Sequence, residues 1–126
     1  MRFMLMIKAT QESEAGLPPS PELMAAVGQL TLEGMKSGII ISVGGLGPSS
    51  QGTRIRASKG TLSVVDGPFA ETKELIAGFA VIEAPTREAA VEQGRLMMDL
   101  HVKTLGPGYE GECEVRSMSE PPPCSR

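Results

Sequence analysis

The sequence predicts an α+β fold of the split βαβ kind with an inserted β-hairpin, and three observations carry that prediction. Its 126 residues are just under one typical domain's worth. Its elements read in the order strand, helix, strand, hairpin, strand, helix, strand. Three of the strands, at 2–8, 39–43 and 78–83, carry apolar side chains on both faces, whereas two helices can cover only one face of a four-stranded sheet.

The elements follow in order. In residues 2–8, Phe3, Leu5 and Ile7 alternate with Met4 and Met6, which fits a buried strand central in its sheet. Ala9 to Pro19 is polar and reads as a loop. Ser20, Pro21 and Glu22 then supply an N-cap, a first-turn proline and an acid suited to the helix dipole. Leu23, Val27, Leu30 and Gly34 recur at helical spacing, and Gly38 can adopt the left-handed conformation that ends a helix, giving a span of 21–37. Ile39 to Val43 is a β-branched strand that Gly44-Gly45-Leu46-Gly47-Pro48 is expected to terminate. Arg54–Ala57 and Thr61–Val64 alternate polar with apolar around Ser58-Lys59-Gly60, as a hairpin does. After the turn Asp66-Gly67-Pro68-Phe69 comes a strand at 78–83, closed by Pro85. Thr86 caps a second helix whose buried face holds Ala90, Gly94, Met97, Met98 and His101, and Gly106-Pro107-Gly108 ends it. Glu112 to Arg116 alternates charged with small apolar residues, as a strand with one solvated face or an edge strand should. The domain is expected to span 1–118, with 119–126 a Pro-rich tail.

Composition excludes several classes. A net charge of -3 gives no basic excess to neutralise a phosphate backbone, so no nucleic-acid partner is expected. The longest apolar stretches are a handful of residues where a membrane span needs ~20, and the N-terminal segment lacks the features of a signal peptide. Cys113 and Cys124 cannot form a disulfide framework and read as free thiols of a cytoplasmic protein. With a lone His101 and no closely paired cysteines, neither a metal site nor a cofactor is expected. The uncovered sheet face calls instead for a second copy packed sheet to sheet about a two-fold axis, making the protein a homodimer.

The most distinctive string runs from Asp66 to Glu74, with four ionisable groups and a phenyl ring in nine residues. Pro68 lacks the amide that an aspartate usually accepts two residues on, so Asp66 is expected to accept from the amide of Phe69 or Ala70 and cap a short turn. Glu71 and Glu74 flank Lys73, a pattern that suits either acid and base work on a bound molecule or a solvated charge run. Lys8, at the end of the first strand, can hold an anion or snorkel to water. Gly44 to Ser50 lacks the third glycine and following helix of a nucleotide-binding turn, yet its hydroxyls and free amides can border a cleft. Arg54, Arg56 and Lys59 place a small cationic group on the hairpin, where edge-strand protection is the commoner reason for such charges.

Asp66-Gly67-Pro68-Phe69 resembles the signature of the DGPF branch of YCII-related proteins. The likeness extends to Phe3–Thr10, to Asp66 through Phe79 and to Glu112–Arg116. The resemblance implies a dimeric α/β barrel of ferredoxin-like subunits, in agreement with the two-sided strands. It also implies a cleft between sheet and helices or at the dimer interface, where members of the wider superfamily carry out lactone or aromatic-ring chemistry. The YCII branch proper pairs a histidine near the start of the first helix with an aspartate; Pro21-Glu22-Leu23-Met24 offers no imidazole there.

These readings combine into a small-molecule-binding protein with a cleft lined by Lys8, the Gly44–Ser50 loop and the Asp66–Glu74 segment. As an enzyme it would carry out proton-transfer or lyase-type chemistry on a small organic acid, with Asp66 or Glu71 as acid or base, Lys73 or Lys8 holding the anion, and Ser49 and Phe69 contacting the substrate. The alternative is a noncatalytic regulatory or protein-interaction module. It draws on the resemblance, because family members are often encoded beside extracytoplasmic-function sigma factors.

Overall fold

The computed structural model describes residues 1–70 and 74–119. Four strands, β1 (Arg2–Lys8), β2 (Ile40–Gly45), β5 (Ile76–Glu83) and β6 (Cys113–Ser117), form an antiparallel sheet in the order β2-β5-β1-β6. β1 is central, as its two apolar faces require, and β6 is an edge. Between β2 and β5 the chain makes a separate two-stranded sheet from β3 (Thr53–Ser58) and β4 (Thr61–Asp66).

Two long helices, α2 (Pro21–Ser37) and α3 (Arg87–Leu105), lie on one face of the larger sheet. Ser20 and Thr86 cap them, each side chain accepting from the amide three residues on, and Gly38 closes α2 with φ 82°. Alternation sends Phe3, Leu5, Ala80 and Ile82 toward the helices, where they form the core with Ala84 and Ala90. Small residues let the layers close. A methyl group at Gly94 would meet the Val115 side chain at 3.1 Å, so α3 packs tightly over β1 and β6.

Three local readings change. The segment Ala9 to Pro19 contains one helical turn, α1 (Gln11–Glu14), because Thr10 and Ser13 exchange side-chain and backbone hydrogen bonds in a capping box. β2 does not stop at Val43; Gly44 and Gly45 continue it opposite Phe79 and Gly78. The reason is space: a Cβ on Gly44 would lie 2.6 Å from the Phe79 ring, so only glycine lets that ring lie across the strand. Third, β2 is not buried on both faces. It is the second edge of the sheet, and Ile41 and Val43 stay exposed.

The face of the sheet turned away from the helices carries Met4, Met6, Phe79 and Val81, with Met4 opposite Val81 and Met6 opposite Phe79. The β3–β4 hairpin is more exposed still. Lys59 and Gly60 at its tip both have positive φ, 53° and 78°, as a tight hairpin turn requires, and every residue of both strands is exposed.

Candidate functional site

The site is built around one serine. Capping of α1 by Thr10 places Glu14 at the end of that turn, 35 residues from its partner in sequence. Pro48 leads into a 3-10 turn, Ser49–Gln51, in which the Gln51 amide donates to the Pro48 carbonyl at 2.9 Å. The turn presents the Ser49 amide to one Glu14 oxygen at 2.8 Å, while the Ser49 hydroxyl donates to the other. The Ser49 oxygen in turn accepts the Phe69 amide at 3.0 Å. A carboxylate, a hydroxyl and an amide are thereby linked in one chain around a buried serine.

The Asp66–Phe69 string folds directly onto this turn. The Gly67 amide donates to the Gly52 carbonyl at 2.9 Å, and a Cβ on Gly67 would fall 1.8 Å from the Ser49 carbonyl oxygen. No side chain fits there. The Gly67–Pro68 peptide is cis. Asp66 does not cap the turn as its sequence suggests: the Phe69 amide goes to Ser49, and the Asp66 carboxylate accepts from the Thr53 hydroxyl at 3.0 Å, across the base of the hairpin. The Arg54 guanidinium sits 3.8 Å above the Phe69 ring, a cation–π contact that ties the hairpin to the site.

A cavity of about 490 Å³ opens beside the serine, walled by Glu14, Leu46, Pro48, Ser49, Phe69 and Ile76, with Glu74 and Leu75 completing one side. Of the residues the sequence singled out, Ser49, Phe69 and Glu74 line it, together with Leu46, Gly47 and Pro48 of the Gly44–Ser50 loop. Asp66 stands at the hairpin base and Lys8 on the sheet, both outside the lining. Lys8 pairs with Glu114 at 3.0 Å, and its hydrogen bond and charge hold the Glu114 carboxyl below the ordinary range. Glu71 and Lys73 lie outside the described residues. Glu14 is the residue sequence reasoning missed. The capping pattern at Thr10 and Ser13 marks the turn that positions it, but nothing local announces its contact with Ser49.

The other polar groups belong to the core. His101 lies on the buried face of α3, its Nδ1 donating to the Met97 carbonyl at 2.8 Å and its ring 5.4 Å from that of Tyr109. Burial pushes the Cys113 thiol and the Tyr109 hydroxyl up. Among the described residues no group of three or more His, Cys, Asp or Glu side chains is placed to hold a metal ion, and no helix is long and apolar enough to cross a membrane.

The sheet order, the helices on one face and the inserted hairpin define an α+β protein of the ferredoxin-like class. Within that class the family model for the YCII-related domain matches residues 1–96, and the chain belongs to that family. An uncharacterised protein of Rhizobium meliloti (strain 1021) is 32% identical over 85 residues, covering 68% of this chain. The matched segment spans 64% of that relative's length.

Proposed function

We propose that this chain is a small-molecule-binding protein whose ligand occupies the cavity beside Ser49. The observation that carries the reading is the linked Glu14, Ser49 and Phe69 arrangement on the wall of that cavity. Mostly apolar walls with a few fixed polar groups are what small-ligand sites offer. Here one carboxylate is held by two donors from a single residue, so it stays in place without needing a ligand to order it. The Arg54 charge over Phe69 supports a small organic acid as the ligand class.

The enzymatic form of this reading is proton transfer on the bound acid, with Asp66 or Glu71 as acid or base. Support comes from the position of Asp66 three residues before the Phe69 that lines the cavity. The protein works as a cytoplasmic homodimer joined through the open sheet face, a reading supported by Met4, Phe79 and Val81, which are only half-buried within one chain. A noncatalytic interaction module is the second reading, favoured by the exposed apolar hairpin.

A thermal-shift screen against small carboxylic and phenolic compounds tests the site, because a ligand bound only by the native state raises its melting temperature. The expected result is at least one compound that shifts wild type and fails to shift Ser49→Ala. Equal shifts in both proteins for every active compound would remove the site from Ser49.

A further inference from the structure

The β3–β4 hairpin is the feature a single chain does not account for. A two-stranded hairpin alone is marginal in water and needs an apolar surface against its own. Pairing sets Ile55 opposite Val64 and Ala57 opposite Leu62, so these four side chains share one face. That face is bare: Ile55 and Leu62 are 70% exposed and Val64 67%. The opposite face carries Arg54 and Arg56 with Val65 and Ser63, a division into greasy and charged sides that suits a ribbon lying on something.

We infer that the hairpin is an arm that grips a second copy of this chain, its Ile55, Leu62 and Val64 face seated against the partner's body. This extends the homodimer reading above and rests on it. Two observations select a second copy. The first is charge. Residues 53–66 hold Arg54, Arg56 and Lys59 against Asp66, a net +2, while the chain totals -3, so the remainder carries -5. Positive arms and acidic bodies attract each other in a reciprocal pair about a two-fold axis.

The second observation is area. Six-residue strands are ~20 Å long and two of them ~10 Å wide, so an arm face covers roughly 200 Å², and the open face of the four-stranded sheet roughly 400 Å². One arm is too small for a stable interface. An arm given, an arm received and the sheet face together approach the ~800 Å² per partner that stable complexes bury. The chain thus has the surfaces to satisfy itself by pairing.

The test is light scattering with a dilution series on wild type and on the double variant Ile55→Asp with Val64→Asp, with far-ultraviolet circular dichroism to confirm the fold. Because both side chains are solvent-exposed within one chain, the variant keeps its secondary structure. The expected results are a wild-type dimer and a variant whose dissociation constant rises about 100-fold or more, as when central apolar contacts are lost. A second variant, Arg56→Glu with Lys59→Glu, should also weaken the dimer, and more so at low than at high salt. A monomeric wild type overturns both the homodimer and the arm. A wild-type dimer that persists unchanged in the Ile55→Asp, Val64→Asp protein overturns the arm alone and leaves the sheet-face dimer standing.

Discussion

At Gly67 the backbone passes so close to the Ser49 carbonyl that even a methyl group would collide with main-chain atoms. Gly67→Ala should therefore lower stability by about 1–3 kcal/mol, measured by urea denaturation, since backbone cannot yield as a flexible side chain can. Ser49 is the other residue on which the site depends. Ser49→Ala removes an acceptor from the Phe69 amide and a donor from Glu14, and a loss of about 1–3 kcal/mol is expected in the same assay. Cys113 gives a kinetic signature. Burial raises its thiol, so less of the reactive thiolate is present at pH 8 than for a free cysteine. In a Cys124→Ser background, iodoacetamide should label it far more slowly than glutathione, with the rate climbing as the pH passes the ordinary thiol range. Labelling as fast as glutathione at pH 8 would contradict its placement on β6 against Gly94 of α3.

At the scale of elements, the parts legible in the sequence were those with local causes. Ser20-Pro21 and Gly38 bracket α2, and Thr86 starts α3, because capping and left-handed closure involve only neighbours. The hairpin was legible for the same reason, through Lys59-Gly60. What stayed hidden depends on partners distant in the chain: Gly44 extends β2 only because Phe79 needs the room, and Asp66 does not cap its own turn because Ser49 takes the Phe69 amide. The candidate site was half legible. Ser49 and Phe69 were picked out by their motifs, while Glu14 acts across 35 residues and leaves no local trace. Gly38→Ala tests the closure of α2: at φ 82° a side chain is strained, and a cost of about 1 kcal/mol is expected in chemical denaturation.

For the whole molecule, helices on one side and half-buried methionine and phenylalanine on the other make the sheet asymmetric in its needs. The Lys8–Glu114 pair stands on that open face and gives stability a pH dependence. Glu114 is held below its ordinary range when folded, so the contribution is present above the carboxylate's unfolded pKa and is lost as pH falls through the lowered value. Comparing wild type with Glu114→Gln across pH 7 to 3, the stability difference should shrink toward acid; a difference that grows there would contradict the pair. The Glu114 carboxylate is open to solvent, and the effect is correspondingly small.

Phe69 belongs to two structures at once. Its amide is fastened to Ser49 while its ring lies beneath Arg54 of the hairpin. A molecule that nudges this ring must also tug the ribbon above it, and a ribbon pinned elsewhere must stiffen the ring. With the ligand and the arm placed as proposed, occupancy and association become linked quantities: whatever fold-change one works on the other is returned in equal measure.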